Sequence, residues 1–153
     1  MTLVLSDSLQ QTLEMVADLA APAADPWWII ASAAVALHGA PIEDVRDVDL
    51  LMSEHDARGM LIRVGVEPRA GQGSHRFRSA VFGTWLAAPL PIEIFGGFEF
   101  AGPAGWTPVL PDTREPVAIG GKILFVPSAA ELRKMLIGFG RSKDLARAEL
   151  LGS

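Results

Sequence analysis

Apolar residues recur at three- and four-residue steps near the start of the chain, at Leu9, Leu13, Val16 and Leu19. That spacing places them on one face of a helix over residues 8–20, opening at Ser6–Ser8. After a proline-containing connection, residues 27–31 are apolar, aromatic and β-branched, the pattern of a buried strand. Ser32 then introduces the helical run AAVALHG, either as its N-cap or as part of a binding turn, with Gly39 where the helix should end. Residues 46–53 alternate as a second strand: Val48, Leu50 and Met52 face a core, and Asp47 and Asp49 face the other way. Ser53 reads as the N-cap of a helix over 54–64.

Further on, residues 67–74 are glycine-rich. Gly71-Gln72-Gly73 resembles part of a dinucleotide loop, but Arg76 occupies the third glycine position and no strand precedes it, so a turn is expected. Two strands follow over 75–86 and 90–98, joined by a hairpin connection at 87–89. Residues 96–116 are rich in Gly and Pro and read as a loop with one short strand. Residues 115–126 suggest strands meeting at Gly120-Gly121, and helices are expected over 129–139 and 142–151. Helices at both ends and strands between them imply an α+β or α/β fold, a mixed β-sheet flanked by helices in a single domain.

Composition narrows the function. The chain has 153 residues and half of them are hydrophobic, enough for a substantial core. Net charge is −5, with no Lys or Arg before Arg46, which opposes strong non-specific binding to nucleic acid. Absence of cysteine excludes disulfides, thiolate metal sites and cysteine nucleophiles. The longest apolar run falls short of the ~20 residues of a membrane helix, and no basic leader opens the chain, so a cytoplasmic protein is expected. His38, His55 and His75 are dispersed and make no metal spacing.

The chemistry concentrates at residues 47–49. Asp47 and Asp49 sit two apart on one strand face, with Cα atoms roughly 6.5–7 Å apart. Two carboxylates aimed the same way repel, and a divalent cation reverses the sign of that interaction; hard oxygen donors suit Mg²⁺. Small residues opening a short helix, followed by Asp-x-Asp on the next strand, resemble the nucleotidyltransferase superfamily with the DNA polymerase β-like fold. The small AbiEii-like and minimal nucleotidyltransferases are the nearest likeness. In that family the turn is usually Gly-Gly or Gly-Ser; here it is Ala31-Ser32, and a methyl group at position 31 restricts φ.

The resemblance implies a third acid from a later strand. Glu93, between Ile92 and Ile94, is the candidate, with Glu99 as its substitute. It also implies that Asp47, Asp49 and Glu93 hold metal and activate an attacking hydroxyl. Ala31 and Ser32 would lie at the nucleotide phosphates, joined by Lys134, Arg141 and Lys143 from the C-terminal segment, with Asp144 as a capping or bracing charge. The implied activity is Mg²⁺-dependent transfer of a nucleotidyl group from an NTP to a hydroxyl on an RNA end such as tRNA, a protein or a small molecule. A toxin–antitoxin setting, with a cognate antitoxin as partner, belongs to the same branch. The alternative is a catalytically inactive protein that keeps the fold for binding or regulation, which alanine at position 31 favours; a third reading makes residues 96–106 a protein-contact loop.

Overall fold

In the computed structural model, which describes residues 3–71 and 74–152, a mixed sheet carries helices on its faces. Helix α1 (Asp7–Ala20) opens on Ser6, whose hydroxyl accepts from the Leu9 amide, and buries Leu9, Leu13 and Val16. Strand β1 (Trp28–Ile30) runs straight into helix α2 (Ala31–Leu37). Strand β2 (Val48–Met52) leads through the Ser53 cap, which accepts from the Asp56 amide, into helix α3 (Glu54–Arg63). Strands β3 (Arg69–Gly71), β4 (Phe77–Trp85), β5 (Ile92–Gly102) and β6 (Gly105–Pro108) complete the main sheet. A separate hairpin, β7 (Glu115–Ile119) and β8 (Lys122–Val126), precedes helices α4 (Ala129–Phe139) and α5 (Ser142–Leu150).

The sheet order is β1-β2-β5-β4-β3, with β6 also paired to β5. Among the described residues only β2 and β5 pair in parallel; their register sets Asp49 beside Glu93. Val48, Leu50, Ile92 and Ile94 point to the opposite face and are fully buried. Helix α3 covers that face closely: a Cβ on Gly96 would lie 2.9 Å from the Glu54 Cα, a contact no side chain can relieve.

Several expectations need correction. The strand expected over 46–53 begins only at Val48, so Asp47 stands just outside it. The region read as a loop from 96 continues β5 to Gly102 and then folds back as β6, so it is paired backbone rather than a free contact loop. Gly71 is itself the last residue of a strand, β3, rather than part of a turn; Gln72 and Gly73, the rest of the turn expected at 71–73, lie outside the described residues. Ser32 does not cap α2. Ile30 occupies the cap position without a side-chain bond, because the chain turns on Ala31 at once and the helix starts two residues earlier than a serine cap would set it.

One irregularity shapes the sheet. Strands β4 and β5 keep one register throughout, yet the pairing of Ala80 with Gly97 is missing, and Gly97 has φ +63°. Beyond it the alternation of side chains is out of step. Phe95 and Phe98, three residues apart, therefore share a face, as do Ser79 and Phe82. Breaks of this kind re-aim side chains beside functional sites.

Candidate active site

Asp49 and Glu93 are cross-strand neighbours on the face away from α3, and Asp47 approaches from the residue before β2. One carboxylate oxygen from each lies within 4.8 Å of the others. The three residues are half-buried, but Asp49 Oδ1 is enclosed and has no hydrogen-bond partner. A buried acceptor without a donor is expensive, costing roughly 1–3 kcal/mol, so it marks a place where a ligand atom belongs. Burial pushes the Asp49 carboxyl well above the usual carboxylate range, helped by a hydrogen bond with Glu93 and by the charges of Asp47 and Glu93; Arg147 works in the opposite direction. All three donors are carboxylate oxygens, the set that suits a hard divalent cation such as Mg²⁺ or Mn²⁺.

The triad opens into a cleft of about 340 Å³, within the range of small-molecule sites. Arg141 at the N-cap of α5, Lys143 in its first turn and Arg147 in its last turn bring positive charge to this cleft. Asp144, buried at the first turn of α5, holds this group in place. It accepts from Arg141 Nε at 2.6 Å and Nη2 at 3.0 Å and from the Arg141 backbone amide at 3.2 Å, and Arg147 Nη1 lies 4.0 Å away. The Arg141 guanidinium also sits 4.7 Å over the Phe77 ring.

Ala31 lines the cleft from the β1–α2 turn; Ser32 is buried in the first turn of α2 and does not line it. Lys134 is exposed on α4 and stands outside the cleft, near Glu131. Glu99 pairs instead with Arg78 at 2.8 Å. Arg147 was missed from sequence, although its position four residues after Lys143 puts both on one helix face. The aromatic side of the cleft was also missed: Phe77, Phe82, Phe95, Phe98 and Phe139 converge there.

Ala31 has φ +59°, the only non-glycine with positive φ among the described residues. An L-residue there is strained by roughly 1–2 kcal/mol. The conformation of the small-residue turn is therefore retained although its glycine is not. Ala31→Gly relieves the strain but frees the unfolded chain by about 0.4–1 kcal/mol, so a net gain of ~0.5–1 kcal/mol is expected. Thermal unfolding checks it: the midpoint should rise by about 1–4 °C, and a fall would mean that packing of the methyl group outweighs the strain.

No protein-family model matches the sequence, and no curated protein matches it. Three solved structures do share its architecture. A candidate nucleotidyltransferase from Thermotoga maritima superposes with a TM-score of 0.77 at 21% identity, covering 97% of this chain and 92% of that one. The antibiotic-resistance factor ANT(2″)-Ia gives a TM-score of 0.58 at 12% identity, over 95% of this chain and 84% of its own. An antigenic nucleotidyltransferase-like protein from Paracoccidioides brasiliensis gives 0.53 at 16%, over 95% and 76%. Among the described residues no helix is long and apolar enough to cross a membrane. At these identities the likeness is one of architecture, and the chain has the nucleotidyltransferase fold.

Proposed function

We propose that this protein is a Mg²⁺-dependent nucleotidyltransferase acting in the cytoplasm on an NTP and a hydroxyl acceptor. One observation carries the reading: three carboxylates converge, with Asp49 Oδ1 enclosed and without a hydrogen-bond partner, in a cleft also lined by three cationic side chains. Asp47, Asp49 and Glu93 would hold the cation, which when bound offsets triphosphate charge and lowers the pKa of a coordinated hydroxyl. Arg141, Lys143 and Arg147 bind and orient the phosphates as charge-assisted donors. Glu93, whose carboxylate lies within 4.8 Å of those of Asp47 and Asp49, would take the proton of the acceptor hydroxyl. The acceptor oxygen forms a bond to the α-phosphorus, the bond from that phosphorus to the bridging oxygen breaks, and pyrophosphate leaves with the electron pair. The resemblance to small toxin-like members adds an RNA end or a protein hydroxyl as acceptor and a cognate antitoxin as partner.

A thermal shift tests the reading. NTP with Mg²⁺ should stabilise the wild type by about 2.7 kcal/mol at a hundredfold excess over Kd. Asp47→Asn should lose that shift while remaining folded. If millimolar NTP and Mg²⁺ leave the wild-type midpoint unchanged, the protein is better described as a non-catalytic relative that keeps the fold for binding. The observation favouring that second reading is Ala31, which holds the turn in a strained conformation.

A further inference from the structure

The cleft has two unlike halves. The charged half contains the acids and Arg141, Lys143 and Arg147; the other is a wall of phenylalanine rings. Phe82 and Phe95 are 5.0 Å apart, Phe95 and Phe98 4.9 Å, Phe77 and Phe98 5.6 Å, and Phe77 and Phe139 5.3 Å between ring centres. Phe77, Phe82 and Phe95 remain half-exposed, although a core of this size could bury them. Four of the rings also floor an adjoining cavity of about 170 Å³, which reaches Ser74 and Ser79 and is lined by no carboxylate among the described residues. Its one charged residue, Arg78, is paired with Glu99 and lies 4.4 Å over Trp106.

We infer that this aromatic arm is a substrate subsite for a flat, uncharged aromatic ring. The face switch at Ala80 and Gly97 is what brings Phe98 and Ser79 to the same side as Phe95 and Phe82, so the wall exists by construction rather than as leftover surface. Ring faces stack readily on planar π systems and are indifferent to hydrogen-bond pattern. In the adjoining cavity a polycationic acceptor finds no carboxylate among the described residues, and an anion finds Arg78 already paired with Glu99. The inference rests on the proposed transfer only in assigning phosphates to the charged end. Two sources offer the same chemistry: the base of the NTP, or a ring on the hydroxyl acceptor.

Calorimetric titration of the full chain separates them, using ATP, inorganic tripolyphosphate and adenosine, each with Mg²⁺, against the wild type and Phe95→Leu. If the base occupies the arm, ATP binds about 10-fold or more tighter than tripolyphosphate, and Phe95→Leu removes most of that gap without altering tripolyphosphate binding. If the acceptor ring occupies it, ATP and tripolyphosphate bind alike in both proteins, while adenosine, added to the tripolyphosphate complex, binds about 10-fold more weakly to the variant. Phe82→Leu provides the same readings should Phe95→Leu fail to fold, as judged by its melting curve. Binding of all three ligands unaffected by either variant overturns the inference. Wild-type protein that binds adenosine in a Phe95-dependent way, but neither ATP nor tripolyphosphate, would instead refute the transfer reading and leave the aromatic subsite standing.

Discussion

Replacing Asp49 by Asn should raise the melting temperature of the metal-free protein at neutral pH and abolish the proposed nucleotidyl transfer. Like charges about 4 Å apart repel by roughly 4 kcal/mol at an effective dielectric near 20, and Asp49 meets both Asp47 and Glu93 while largely shielded from water. Removing its charge should therefore gain about 1–3 kcal/mol, or roughly 3–10 °C. The pH dependence has a definite sign. The folded carboxyl binds its proton more tightly than the unfolded one, so the folded state is favoured below the unfolded pKa near ~3.9 and loses stability as pH rises through the folded value. Scanning calorimetry in chelator should show the gap between variant and wild type closing as pH falls toward about 4. Excess Mg²⁺ should reverse the order, stabilising only the wild type. Pyrophosphate release should drop by at least ~10³-fold, more than the loss of one neutral donor costs. A variant no more stable than the wild type in chelator would mean that the three acids are not in electrostatic conflict.

Asp144→Ala should be the most damaging single change near the cleft. Its side chain is fully buried, holds Arg141 through two side-chain bonds, accepts that residue's backbone amide and lies near Arg147. Removing one member of a buried pair costs about 3–5 kcal/mol; the part of Arg141 that reaches water softens this to roughly 2–4 kcal/mol. The expected fall in melting temperature is about 5–15 °C. The released arginines should also bind tripolyphosphate more weakly, with a smaller loss for Asp144→Asn, which keeps an acceptor. A drop under about 2 °C would mean that Asp144 does not brace this corner.

What the sequence disclosed follows from where periodicity and local chemistry agree. Leu9, Leu13 and Val16 define α1, and Ser53 and the alternation of Val48, Leu50 and Met52 fix the β2–α3 turn, because one-sided burial and a cap leave local marks. Asp49 and Glu93 meet across a parallel pairing of strands 44 residues apart (93 − 49), and nothing local records that register; the resemblance to a known family supplied it. The start of α2 was misplaced because Ser32 looks like a cap, whereas the left-handed turn at Ala31 depends on the tertiary setting. The aromatic wall was invisible for a similar reason. Alternation assigns Phe95 and Phe98 to opposite sides, and only the break at Gly97 overrides it.

That break makes the backbone conformation of β5 as important as its composition. Holding residue 97 in ordinary extended backbone, as Gly97→Val would favour by disfavouring φ +63° and crowding Glu54 and Ala80, would restore strict two-residue periodicity at unchanged length, and Phe98 would rotate toward α3 while the acids upstream stayed put. The carboxylate end of the cleft would be unchanged, but its aromatic wall would lose Phe98. A single substitution at this glycine thus changes which side chains reach the cleft without touching the three acids.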